Sequence, residues 1–383
     1  MVSISRQEII LTTKYLVVKV GTNVLTSSDG KLNTARISRL VEEICAIQSR
    51  GVKVILVSSG AVGAGMGRLG LTERPVYNSQ LQAVAAIGQS ALIQNYDREF
   101  AKRGALAAQV LLTAGDLSNR ARYLNALNTF TSLFQFGAVP IVNENDAISS
   151  AELSLTFGDN DKLASLVANL FPESLLVLLT DVDGLYTGDP ACPESKLIPV
   201  VDDWSPELLE LVAEKKSSRS KGGMASKLRA ARLITSSGGA MIIANGDQPD
   251  ILTRIYNCEQ VGTIFFPEKR LSARKRWVKF APNPSGVLVV DAGAVDAIVR
   301  GGKSLLPIGV LSSVGAFKRG DVVSIVDVNH REIARGLTNY TSREAPLICG
   351  KHTYELADAL LPLGATPYEE FVHRNNIQLS ENY

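Results

Sequence analysis

Two lysines and several clustered carboxylates define the chemistry open to this chain. Lys19 stands inside an apolar run, Tyr15-Leu16-Val17-Val18-Lys19-Val20-Gly21-Thr22. A lysine there needs an anionic partner or a place at a sheet edge. Gly21 allows close approach of the backbone to a ligand, so we read Lys19 as a phosphate contact at the end of a first strand. Lys227 closes the segment Lys221-Gly222-Gly223-Met224-Ala225-Ser226-Lys227, where two glycines precede a helix with a lysine in its first turn. That arrangement suits nucleotide phosphates. The carboxylates gather in Asn143-Glu144-Asn145-Asp146 and Gly158-Asp159-Asn160-Asp161. The first cluster follows the apolar strand Ala138 to Val142. The second precedes a helix on which Leu163, Leu166, Val167 and Leu170 share one face. Strand-to-helix junctions are where open α/β sheets bind ligands. Two more junctions have this character. Ser58-Ser59-Gly60-Ala61-Val62-Gly63 offers small residues and free N–H groups to an anion. Thr180-Asp181-Val182-Asp183 suits a metal, a nucleotide or a simple Asp-rich turn, and its place at a strand end favours the nucleotide.

Composition removes other chemistries. No histidine precedes His330, so most of the chain works without Ser-His-Asp, Cys-His or His-Glu-x-x-His machinery. The four cysteines are scattered and suggest neither a zinc site nor a disulfide framework, which fits a reducing cytoplasm. No residue is assigned to a metal. Net charge is +2, giving no general pull toward nucleic acid or acidic membrane. No apolar run is long enough to span a bilayer, and the first residues lack the pattern of a signal peptide. No Walker A sequence occurs. Gly301-Gly302-Lys303-Ser304 resembles its tail and reads as a surface turn. Gly65-Met66-Gly67-Arg68-Leu69-Gly70 matches a dinucleotide fingerprint in letters only, because no strand ending in an acidic residue follows about 20 residues on. Lysines, carboxylates and helix N-termini without histidine point to phosphoryl transfer onto an acceptor that needs no general base. A carboxylate fits, since with a reference pKa of about 4.3 it is already ionised. Catalysis is then positioning and charge stabilisation.

The elements that must position these residues alternate between apolar strands and amphipathic helices. Strands are expected at 15–20, 52–57, 107–112, 138–142, 175–179 and 240–244. Helices are expected at 37–50, 80–103, 119–136, 162–170, 207–216 and 224–236, with a mobile loop at 217–223. That order predicts a mainly parallel sheet covered on both faces, a three-layer α/β sandwich. Beyond a basic connector at 271–276 the segments become short, β-branched and glycine-punctuated, and read as a small β-barrel-like domain. The expected boundaries are 1–270 and 277–383.

Taken together, the segments around Lys19, Ser59, Asp146, Asp161, Asp181 and Lys227 resemble the amino acid kinase family, and most specifically its glutamate 5-kinase branch. From Trp277 onward, with Leu305-Leu306-Pro307-Ile308-Gly309 and Phe317-Lys318-Arg319-Gly320-Asp321, the chain is similar to PUA domains, which bind RNA in other proteins. The resemblance implies ATP-dependent phosphorylation of the γ-carboxylate of L-glutamate for proline biosynthesis, with Mg²⁺ accompanying ATP. It also implies feedback inhibition by proline and a homo-oligomer, a dimer or tetramer. Carried onto this sequence, Lys19 and Lys227 stabilise the transferring phosphoryl group and Asp161 orients them. Ser59, Gly60, Asp146 and Asn160 hold glutamate, Asp146 facing the ammonium and Asn160 a carboxylate. Lys19, Gly21, Thr180, Asp181 and the segment Lys221 to Lys227 hold ATP. One departure is Lys221, where the family often has threonine. Two alternatives stand beside this reading. One is a kinase of N-acetylglutamate or aspartate, against which Asp146 argues, because a carboxylate suits a free ammonium. The other is an RNA-binding or RNA-modifying protein acting through the C-terminal domain.

Overall fold

The computed structural model describes residues 5–26, 32–118, 120–148, 160–206, 208, 223–268 and 284–380. The chain divides into two compact units, with the boundary between Arg270 and Leu271. The helix expected at 207–216 (apart from Leu208), residues 217–222 of the loop, the connector at 271–276 and Trp277 lie outside the described residues, as do Gly158, Asp159, Lys221 and Gly222.

The first unit is built on an eight-stranded sheet. Its strands are β1 (Tyr15–Val20), β2 (Lys53–Ser58), β3 (Leu106–Leu112), β4 (Ala138–Glu144), β5 (Ser174–Thr180), β8 (Val200–Val201), β9 (Ala240–Asn245) and β10 (Thr263–Phe265). A two-stranded ribbon, β6 (Leu185–Tyr186) with β7 (Leu197–Ile198), stands apart. The sheet order is β3-β4-β2-β1-β5-β9-β10-β8. Strands from β3 through β9 run parallel, and only the β9–β10 pair is antiparallel. Parallel strands end at one edge of the sheet, so Val20, Ser58, Glu144, Thr180 and Asn245 deliver the loops after them to a common rim.

The helices are α1 (Arg6–Thr12), α2 (Thr22–Leu25), α3 (Thr34–Gln48), α4 (Ala61–Leu69), α5 (Asn78–Ala101), α6 (Ala114–Ser118), α7 (Arg120–Gln135), α8 (Asn160–Ala168), α9 (Met224–Thr235) and α10 (Ile251–Tyr256). Alternation along β1 sends Leu16, Val18 and Val20 into one core with Ile37, Val41 and Ile44 of α3 and Ile251 and Ile255 of α10. Val17 and Lys19 therefore face the opposite layer, where α8 packs on β1 and α9 on α8. The two layers and the sheet make the expected sandwich. The strand expected to end at Val142 continues through Asn143 and Glu144, because both pair with β3 at Leu111 and Leu112.

The fingerprint-like glycines have a packing role. A Cβ on Gly65 would lie 1.9 Å from the Val84 carbonyl oxygen, and one on Gly88 would lie 1.8 Å from that of Ala61. Helices α4 and α5 thus cross at backbone contact, and Gly70 ends α4 at φ +65°.

The second unit holds a five-stranded sheet of β11 (Gly286–Val290), β12 (Val310–Gly315), β13 (Val322–Val326), β14 (Glu332–Thr338) and β15 (Val372–Leu379), in the order β12-β11-β13-β14-β15. Among the described residues three short α-helices accompany it, α11 (Ala292–Val299), α12 (Ala345–Ile348) and α13 (Leu356–Leu360). Leu288, Val323, Ile325, Ile333 and Phe371 form its separate core. Gly301 and Gly302 form an exposed turn after α11, as expected for that glycine-lysine-serine segment.

Candidate active site

Lys19 lies on a central strand, flanked by Val57 of β2 and Leu178 of β5. It is 8% exposed, so the edge explanation fails and an anion is required. Asp161 supplies it, with Lys19 Nζ 2.5 Å from its Oδ1. Lys227 Nζ lies 3.5 Å from Oδ2 of the same carboxylate. Burial pushes the Asp161 carboxyl up, but Lys19 and then Lys227 outweigh burial and hold it below the ordinary carboxylate range. The helix boundaries explain this meeting. Asn160 and Asp161, expected as cap residues, open α8 itself, so Asp161 sits in its first turn, where the helix dipole favours an anion. Lys227 occupies the equivalent turn of α9, whose N-cap is Gly223.

Lys19 and Lys227 line a cavity of about 490 Å³ with Gly21, Ser59, Thr180, Asp181, Gly223 and Met224. Ala225 and Ser226 follow Met224 in α9 but do not line the cavity, and Lys221 and Gly222 lie outside the described residues. Asp181 is fixed at the rim. Asn23 Nδ2 donates to its Oδ2 at 3.1 Å and Thr180 Oγ1 to its Oδ1 at 3.0 Å. The Asn23 bond, more than any other contact, lowers its pKa. Asp183 has a different role. Its carboxylate accepts from Asn245 at 3.0 Å, Gln248 at 2.8 Å and Tyr186 at 3.2 Å, so it ties a turn to the end of β9.

Asp146 lies elsewhere. It lines a second cavity of about 410 Å³ with Gln89, Ser90, Gln109, Glu144 and Asn145. Burial raises its pKa to about 6, partly offset by Arg74. Asn160 joins the two cavities. Its Nδ2 donates to Ser59 Oγ at 2.9 Å, to the Ser58 carbonyl at 3.2 Å and to Asn143 Oδ1 at 3.0 Å. Ser59 lines the first cavity, while Asn143 Nδ2 donates at 2.7 Å to Gln89 Oε1, on the wall of the second. Gly60, at φ +102°, opens α4 immediately after Ser59, a conformation that favours glycine.

Sequence reasoning missed Thr22, Asn23, Tyr186 and Pro190 in the first cavity and Gln89 and Gln109 in the second. Thr22 and Asn23 adjoin Lys19 and could have been included as part of the same strand-end turn. Nothing local marks the others. Among the described residues, no three His, Cys, Asp or Glu side chains group as a metal cage. The arrangement offers two buried cations beside one cavity, a carboxylate between them, and a second, less charged cavity joined to the first by neutral amides. That suits moving a phosphoryl group between two bound molecules.

The amino acid kinase family model matches residues 14–245, and the PUA domain model matches residues 286–360. A protein named glutamate 5-kinase from Rhodopirellula baltica is 48% identical over 375 residues, covering 98% of this chain and 96% of that protein. One of the same name from Moorella thermoacetica is 47% identical over 364 residues, covering 94% and 95% respectively. The chain belongs to the amino acid kinase family, within it to the glutamate 5-kinases, and carries a PUA domain after its kinase unit.

Proposed function

We propose that this chain transfers the γ-phosphoryl group of ATP to the γ-carboxylate of L-glutamate, giving L-glutamyl 5-phosphate, the first step of proline biosynthesis. The supporting observation is the buried Lys19–Asp161–Lys227 cluster beside a cavity. In this reading ATP lies against Gly21, Thr180, Asp181, Gly223 and Met224, with the Lys221 to Lys227 segment around its phosphates. Lys19 and Lys227 meet the charge on the transferring group, and Asp161 holds both ammoniums in place without accepting a proton. Glutamate lies toward Ser59, Gly60, Asn160 and Asp146. Its carboxylate attacks already ionised, so no base is needed. Mg²⁺ belongs to the same proposal as a companion of the nucleotide phosphates.

The same reading assigns this chemistry to residues 1–270 and makes 277–383 an accessory PUA unit with RNA as its candidate partner. Proline as feedback inhibitor, a homo-oligomer and a cytoplasmic location complete it. No helix among the described residues is long and apolar enough to cross a membrane.

The test is incubation with ATP, Mg²⁺ and glutamate, trapping acyl phosphate with hydroxylamine. Hydroxamate from glutamate is expected. None from glutamate, with product from N-acetylglutamate or aspartate, would overturn the choice of substrate.

A further inference from the structure

We propose that Gln89 is a positioning residue that orients Asn160, leaving the Asn160 side-chain oxygen to accept from the ammonium of the amino-acid substrate. This rests on the reading of the acceptor as glutamate.

Two backbone groups fix the polarity of the amide chain. The Glu144 N–H can only donate, and it meets Asn143 Oδ1 at 2.9 Å. That atom is therefore oxygen, and the Asn143 nitrogen points to Gln89 Oε1 at 2.7 Å. The Ser58 carbonyl can only accept, and it meets Asn160 Nδ2 at 3.2 Å. The Asn160 amide protons are thus shared among Ser58, Ser59 and Asn143. Asn160 is 3% exposed, and its Oδ1 is buried with no hydrogen-bond partner among the described residues. A buried acceptor of this kind calls for a donor. At neutral pH the strong donor on glutamate is its α-ammonium, since both carboxylates only accept. Asn160 thus offers oxygen to an ammonium, and the protons that a substrate carboxylate would need are already engaged.

Gln89 is well placed to hold this orientation. It is absent from the wall of the cavity that holds Lys19. Gly88 beside it presses on the first turn of α4, where any Cβ would strike the Ala61 carbonyl. Seven residues on, and on the same face of α5, buried Tyr96 bonds Ser58 Oγ at 2.9 Å. Helix α5 therefore braces both the strand end that carries Ser59 and the amide chain that ends at Asn160.

The test is steady-state hydroxamate kinetics on the full chain with glutamate and with glutarate, which lacks the ammonium. Wild type should prefer glutamate strongly. Gln89→Leu should raise KM for glutamate about tenfold, the loss of roughly one good hydrogen bond. KM for ATP should stay unchanged and the preference over glutarate should shrink. Gln89→Glu, which still accepts from Asn143, should restore most of the glutamate affinity. Three results would overturn the proposal alone: both KM values moving together, no rescue by Gln89→Glu, or wild type using glutarate as well as glutamate. A wild-type protein inactive on glutamate would overturn the functional reading and this proposal with it.

Discussion

The two cavities are held by different physics. Around the first, two lysines and one carboxylate are nearly excluded from water. Around the second, the linking groups are neutral amides, Gln89, Asn143 and Asn160, and the nearby carboxylate of Asp146 is half-buried and reluctant to ionise. The proposed function accounts for the contrast by giving each cavity a different ligand. A transferring phosphoryl group spreads negative charge, and fixed cations in a dry site stabilise it. An amino acid is told from its relatives by where its donors and acceptors lie, and oriented amides read that pattern.

Replacing the charged centre should have the largest effect. Lys19→Ala is expected to lower kcat by about a thousandfold with the circular dichroism spectrum preserved. Near-normal turnover would remove the charged cavity from the chemistry. Asp161→Asn leaves two buried ammoniums without their counter-charge, which should cost about 3–5 kcal/mol in urea unfolding. Because its folded pKa is depressed, the stability Asp161 contributes is present above its unfolded pKa, near 4, and lost as pH falls through its folded value. An unchanged midpoint would show that the lysines are held by something else.

On the other side of the comparison, Asp146→Asn should raise KM for glutamate roughly tenfold to a hundredfold and leave kcat nearly intact. A fall in kcat alone would merge the two cavities into one function. The raised pKa of Asp146, about 6, gives a gentler test. If its ionised form holds the ammonium, KM for glutamate should climb up to about tenfold per pH unit below that value while KM for ATP does not follow. The smallest effect is expected from ending the chain after Arg270, at the boundary between the two units. Turnover per folded molecule should stay the same, and a folded but inactive truncation would give the PUA unit a part in the chemistry.

Much of the first cavity could be read from the chain because it breaks local rules. A lysine inside Tyr15 to Val20 and glycines before Met224 are costly unless a ligand or partner justifies them. The strands and helices were legible for the same reason, since apolar periodicity is a local property. Boundaries were less so. Asn143 and Glu144 look like a loop by residue type, yet pairing with β3 keeps them in β4. Asn160 and Asp161 look like caps, yet α8 starts with them. Gln89 carried no signal at all. It sits in an ordinary helical stretch, and its meaning depends on Asn143, which reaches it from β4.

By itself, then, the sequence determined a parallel sheet and a first unit without histidine, and it pointed to lysines for phosphates and an acceptor already ionised. Those conclusions follow from residue types and short-range spacing. Only the tertiary structure decided the pairings. Lys19 meets Lys227 through Asp161 because β1 is central and α8 and α9 lie on one face. Asn160 presents oxygen because a carbonyl on β2 and an N–H at the end of β4 fix the amide chain from both ends. Hydrogen-bond polarity is set by partners distant in sequence, and no local pattern encodes it.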